Sequence, residues 1–239
     1  MTNFSTHPLR LLAILAWCAM TCATCPAGDA PSIKSIVEKF DAAQAKVETF
    51  QAPFTLSITR AMLKSPVISK GTFYLSGSEC ANFTFSPPDS LVIHIAPKTV
   101  ISYSPTEKRA ETMKMRLVKS PNRKTLALGR KLSYFSDFFK MEASEPKELP
   151  GTLLVTLKPR SLSFKKLIEV IHVWIDRETY LPKRVNWIER GGDAWLVELG
   201  QPTINHAIPA SVANFSVPAG TAVKSEFSFF KTRKEQSRK

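Results

Sequence analysis

"NFTFSPPDSLVIHIAPKTVISYSP" occupies residues 82–105, and its reading decides the fold. Bulky and polar residues alternate, the chain turns at Pro87-Pro88, alternation resumes, and Pro97 and Pro105 mark further turns. Successive side chains of a strand point to opposite faces, so each short run has one apolar side. Prolines at the turns remove backbone donors where a ladder needs them least. The stretch therefore predicts antiparallel strands joined as hairpins.

The same signature extends in both directions. Upstream, Ala52, Phe54, Leu56 and Ile58 alternate with Thr55, Ser57 and Thr59, and strand-like runs follow at 69–75 and 81–85. Downstream come 91–95, 99–103, 108–113, 152–157, 167–176, 183–189, 195–199 and 214–217, with "DRET" and "RGGD" as turns. Two segments break the pattern. "PSIKSIVEKFDAAQAKVETF" places Ile33, Ile36, Val37, Phe40 and Val47 at helical spacing, with Ser32 available as an N-cap. "SPNRKTLALGRKLSYFSDFFKM" gathers Leu126, Leu128, Leu132, Phe135, Phe138 and Phe139 around Gly129, which predicts two short helices or a helix and a loop. About eleven strands with one apolar face each describe a large antiparallel sheet that must curl around something. Two helical segments are thin cover for that much apolar surface, so a cavity partly lined by the helices is expected.

Length and charge bound the rest. The chain has 239 residues, with 33 Lys plus Arg against 20 Asp plus Glu, a formal charge of +13. Residues 1–27 read as a cleaved export signal: Arg10 precedes an apolar run from Leu11 to Met20, and small residues follow. That run is too short for a bilayer span. Cleavage after Ala23 or Ala27 would leave one domain, 28–230, and a basic tail, 231–239, "KTRKEQSRK". Cys18, Cys22 and Cys25 fall in or beside the signal, and none has the preceding residues of a lipid-acceptor cysteine. Cys80 is then alone, so no internal disulfide is expected. Positive charge concentrates between Lys108 and Lys140, where Lys119, Arg123, Lys124, Arg130 and Lys131 are the candidate partner-binding residues. Such a field attracts anionic partners, and export argues against nucleic acid.

Enzyme signatures are missing. The nine glycines form no phosphate-binding loop or dinucleotide fingerprint, and no G-x-S-x-G elbow is present. His94, His172 and His206 lack metal-ligand spacing, Cys80 has no identifiable base, and Glu145 and Glu148 sit in a Pro-containing loop. Neither catalysis nor a cofactor or metal is expected.

The helix ending "VETFQAPFTLSI", then "KGTFYL", "SLVIHIAPKTVISYSP", "HVWIDRETYLPKRV" and "NFSVPAG" follow one another in an order that resembles the bacterial outer-membrane lipoprotein carrier (LolA) family. The resemblance implies an open, strongly curved antiparallel half-barrel with a helical lid. In that family the interior sequesters lipoprotein acyl chains and ferries them across the periplasm from an inner-membrane release complex to an outer-membrane acceptor. Carried over by position, Phe54, Leu56, Phe73, Leu75, Phe83, Phe85, Leu91 and Ile93 would line the interior, and Leu132, Phe135 and Phe138 would belong to the lid. Ordinary core packing would bury the same residues.

One departure concerns the lid. Family carriers have an Arg shortly after the second strand, where it helps latch the lid, and here Ser76-Gly77-Ser78 occupies that place. Arg60 shares the inward parity of Phe54, Leu56 and Ile58 and is a candidate latch, against the commoner role of a basic residue just past a strand end. The partners implied are acylated lipoproteins or another lipid, with acidic surfaces on donor and acceptor, and a monomeric carrier. Alternatives are a carrier for another hydrophobic precursor, an envelope lipid sensor, or a membrane-anchored acceptor of the same fold.

Overall fold

The computed structural model describes residues 31–77, 80–114 and 131–225. The expected signal, most of the basic segment including Lys119, Arg123, Lys124 and Arg130, and the basic tail lie outside the described residues.

Helix α1 (Ile33–Gln44) begins where the Ser32 hydroxyl accepts the Ser35 N–H at 3.3 Å, satisfying one of the donors that a helix start leaves open. It buries Ile36 and Phe40, one turn apart on its apolar stripe. The chain then enters a meander: β1 (Thr49–Thr59), β2 (Val67–Ser76), β3 (Cys80–Phe85), β4 (Val92–Ala96), β5 (Thr99–Ser104) and β6 (Arg109–Lys114). After a 3-10 turn at Leu132–Phe135 a second meander follows: β7 (Phe139–Ser144), β8 (Thr152–Pro159), the single-turn α2 (Leu162–Lys165), β9 (Ile168–Asp176), β10 (Pro182–Glu189) and β11 (Ala194–Leu199). Pairing of β1 with β11 joins the two meanders into one sheet, with β6 near one end and β7 at the other. The sheet is therefore open, as the family resemblance implies.

Register puts one residue set on the inner face. Opposed residues of an antiparallel pair point the same way, so Phe54↔Leu199, Leu56↔Val197, Phe73↔Phe83, Leu75↔Ala81 and Phe83↔Ile93 extend a single apolar surface across β11, β1, β2, β3 and β4. Val155↔Val173, Val173↔Val185 and Val185↔Val197 continue it through β8 to β11. Both halves meet α1 in one buried cluster. Gly71 belongs to this register for a steric reason. A Cβ there would lie 2.1 Å from the Thr84 carbonyl oxygen and 2.8 Å from the Phe54 ring, so the ring covers a position that only glycine can hold.

Several expectations are corrected. Phe139 opens β7 instead of extending a helix, because it pairs with Pro159 at the edge of the sheet. Residues 214–217 form no strand. After β12 (Thr203–Ile204) and α3 (Ala210–Ala213), Phe215 lies across the outer face, its ring 5.3 Å from His94. The chain then ends its described course in β13 (Ala222–Lys224), which pairs with β6 in parallel. The described residues thus form thirteen strands where about eleven were expected, the additions including a two-residue and a three-residue strand.

Candidate functional site

The inner face is the candidate site, and it holds most of the residues assigned to it from the sequence. Phe54, Leu56, Phe73, Leu75, Phe83, Phe85 and Ile93 are all buried, and Leu91 is half-buried at its margin. Four of the rings interlock. Phe83 stands 5.4 Å from Phe54 and 4.7 Å from Phe73, and Phe85 stands 5.1 Å from Phe54. Edge-to-face contacts of this kind suit the ring quadrupole. They make the four rings one packed cluster on the inner face.

Among the described residues, cover comes from two pieces. Ile36 and Phe40 of α1 press on the sheet from above, each almost fully buried. Leu132 is buried beside them, while Phe135 and Phe138 are half-buried. The 3-10 turn has no side-chain cap from its own N-cap residue, Lys131. Asp41 of α1 supplies one instead: its Oδ1 accepts the Leu132 N–H at 2.7 Å. A carboxylate at the open N–H end of a turn forms a charge-assisted bond. Phe138 continues the cover outward, its ring 5.6 Å from that of Phe164 in α2.

Among the described residues, the partners of Arg60, the candidate latch, are Asp193 and Trp195. Its guanidinium donates to Asp193 Oδ2 at 2.8 Å and lies 4.9 Å above the Trp195 ring, tying the β1–β2 turn to the β10–β11 turn. Asp41, which no sequence pattern singles out, contacts the described part of the lid. Lys131 is exposed at the start of the 3-10 turn. At β5 and β6 the apolar surface narrows to Val100 and Met113, with Ser102 buried opposite Glu111 beside them. Sequence reasoning also passes over the contribution of β8 to β11. Trp187 and Trp195 stack there at 5.5 Å and 9°, and their alternating runs are legible as strands but not as the other half of the same surface.

Little here resembles a reactive centre. Burial lowers the pKa of His94 and, opposed by Glu148 and assisted by Lys158, of His172, so both rings favour the neutral form. His94, Asn82 and Cys80 do share a crevice on the outer face with Tyr74, Ile208 and Val212, too tight to admit water. Among the described residues no group of three or more His, Cys, Asp or Glu side chains is placed to hold a metal.

An open sheet folded around an apolar face and covered by short helical pieces is an arrangement found in known proteins. A family model described as outer membrane lipoprotein carrier protein LolA matches residues 45–216, well over half of the chain. Among solved structures, an uncharacterized conserved protein from Thermus thermophilus aligns at 12% identity and TM-score 0.49, covering 81% of this chain and 98% of that one. A LolA superfamily protein from Nitrosomonas europaea aligns at 10% identity and TM-score 0.41, over 77% of this chain and 98% of that one. The Pseudomonas aeruginosa MucA/MucB complex aligns at 13% identity and TM-score 0.43, over 74% of this chain and 58% of that one. None of the curated proteins compared with the chain matches it. By the match along residues 45–216, in the order read from the strands, the chain belongs to the LolA family of outer membrane lipoprotein carriers.

Proposed function

We propose that this chain is a periplasmic carrier that takes up the acyl chains of lipoproteins on the inner face of its sheet and passes them from the inner membrane to an outer-membrane acceptor. The observation that carries this reading is the kind of cover found among the described residues: a continuous apolar face spanning β1 to β4 and β8 to β11 lies under a twelve-residue helix and a short 3-10 turn. Moving those two pieces would uncover the interlocked rings of Phe54, Phe73, Phe83 and Phe85. A hydrocarbon tail would then replace the apolar contacts that the cover gives up.

Energetics favour such an exchange over release into water. Burial is worth ~0.8 kcal/mol per CH₂, so a long acyl chain gains on the order of 10 kcal/mol. A carrier loses part of that gain to opening and hands its guest directly to another apolar site. Binding of this kind requires no catalytic group. The basic segment containing Lys119, Arg123, Lys124, Arg130 and Lys131 precedes the 3-10 turn in sequence and would meet acidic rims on donor and acceptor.

Purification from the native envelope followed by mass spectrometry of bound molecules tests the reading. Acylated lipoprotein in the purified complex is the expected result. Recovery of the chain with another lipid alone would reassign the cargo, and recovery with no hydrocarbon guest would overturn the proposal.

A further inference from the structure

One rim of the sheet carries apolar side chains that the fold leaves uncovered. The β1–β2 turn, the β8–β9 connection and the β10–β11 turn all lie at the same end of their strands and touch in series. The Ala61 N–H donates to Asp193 Oδ1 at 3.0 Å, and the Arg190 N–H donates to the Leu167 carbonyl at 3.1 Å. Met62 is 85% exposed, Ile68 60% and Leu162 76%, with Leu63, Val67 and Leu167 also exposed. The hairpin that bears four of them projects past its neighbour, because pairing of β2 with β3 begins only at Gly71↔Phe85. Apolar residues scattered singly on a surface need no explanation, but a contiguous set at one rim does.

Charge identifies what this rim would meet. Lys64 stands beside Met62 and Leu63; Arg160, Lys165 and Lys166 flank Leu162; Arg190 caps the third turn, and all five are exposed. Segments 60–68 and 160–167 contain no carboxylate, and Asp193 is held by Arg60. Among the described residues none of these five cations is ion-paired. Protruding apolar tips ringed by unpaired cations match the interface of an anionic bilayer, where apolar side chains enter the acyl boundary and cations meet the headgroups.

We propose that this rim, with Met62, Leu63 and Ile68 as the inserted side chains and Lys64, Lys165 and Lys166 as the headgroup contacts, docks the protein on an anionic phospholipid surface. Such docking rests on the carrier reading and adds to it a route by which the guest is met at the bilayer. The lid turn belongs to the same neighbourhood, since the Arg160 N–H donates to the Phe138 carbonyl at 2.9 Å and ties the cover to this rim.

Flotation of the full chain with vesicles of phosphatidylcholine alone, or of phosphatidylcholine mixed with phosphatidylglycerol, tests the inference. Binding is expected to the mixed vesicles only. Lys64→Glu, Lys165→Glu and Lys166→Glu together should weaken it on the order of 100-fold, since each cation near an anionic surface contributes about fivefold. Met62→Ser, Leu63→Ser and Ile68→Ser together should weaken it at least about tenfold, through lost apolar insertion. Substitutions at these exposed positions leave the core intact, so circular dichroism of both variants should match the parent. No binding to mixed vesicles, or equal binding by either variant, would overturn the docking surface; an acidic protein partner would then be the better reading of the cations. Retention of acylated lipoprotein by the same variants in detergent separates that failure from failure of the carrier reading.

Discussion

The carboxylate of Asp41, on the last turns of α1, caps the backbone of the 3-10 turn, accepting the Leu132 N–H at 2.7 Å and the Ser133 N–H at 3.4 Å, so these two covering pieces are held to each other by charge-assisted hydrogen bonds. Both also rest on the sheet, through Phe40 and Leu132, each almost fully buried. The cover thus behaves as one unit, with its polar fastening at the helix and its apolar weight on the rings below.

Asp41→Ala should loosen that unit. Loss of a capping carboxylate costs ~1 kcal/mol. A small fall in Tm is expected, with a several-fold faster release of a fluorescent fatty acid, read by stopped-flow dilution into acceptor vesicles.

Gly71→Ala should be far more harmful than its size suggests. The added methyl would meet the Thr84 carbonyl and the Phe54 ring well inside contact distance, and overpacking of a tight site costs ~1–3 kcal/mol. Phe54→Ala would relieve only the ring contact, at its own cost of ~3–5 kcal/mol for a buried phenylalanine. Urea unfolding of both single variants and the double variant should show less than additive losses.

Arg60→Leu should lower stability and leave guest release unchanged, because the guanidinium holds Asp193 and covers Trp195 instead of touching the described lid residues. A partly buried pair of this kind contributes ~1 kcal/mol. A changed release rate with unchanged Tm would restore Arg60 to the lid.

Stability should fall as the solution turns acidic. Burial holds His94 below its ordinary pKa of 6.5, and His172 is lowered in the same direction. Below pH 6.5 the unfolded chain binds protons that the folded chain resists, so the unfolded state gains and stability declines until the buried rings titrate. Above that pH the contribution is fully present. Tm measured between about pH 7.5 and about pH 5.5 should drop for the parent, and His94→Gln should flatten the slope.

Much of this molecule is legible in its sequence, for a definite reason. An inner-facing strand residue must be apolar and its neighbours need not be, so the alternation in 82–105 reports the face directly, and Phe83, Phe85 and Ile93 lie where parity puts them. Helical spacing likewise exposes Ile36 and Phe40. Phe139 misleads because a strand start following Phe135 and Phe138 copies helical spacing, and periodicity over so short a run cannot separate the two. The 214–217 run alternates yet forms no strand, since Phe215 finds its place on the outer face against His94 and Tyr103 without any ladder. Asp41 is invisible because its partner lies ninety-one positions away in the chain, and no local pattern records a cap offered by another element.

The central proposal is that a hydrocarbon guest binds between the cover and the rings of the inner face. A lipoprotein carrying a photoactivatable acyl chain, loaded on the protein and illuminated, reads this directly by peptide mapping. Labels on Phe40, Phe54, Phe73, Phe83 and Leu132 are predicted; labels confined to outer-face residues such as Tyr74, His94 and Tyr103, or none at all, would contradict it.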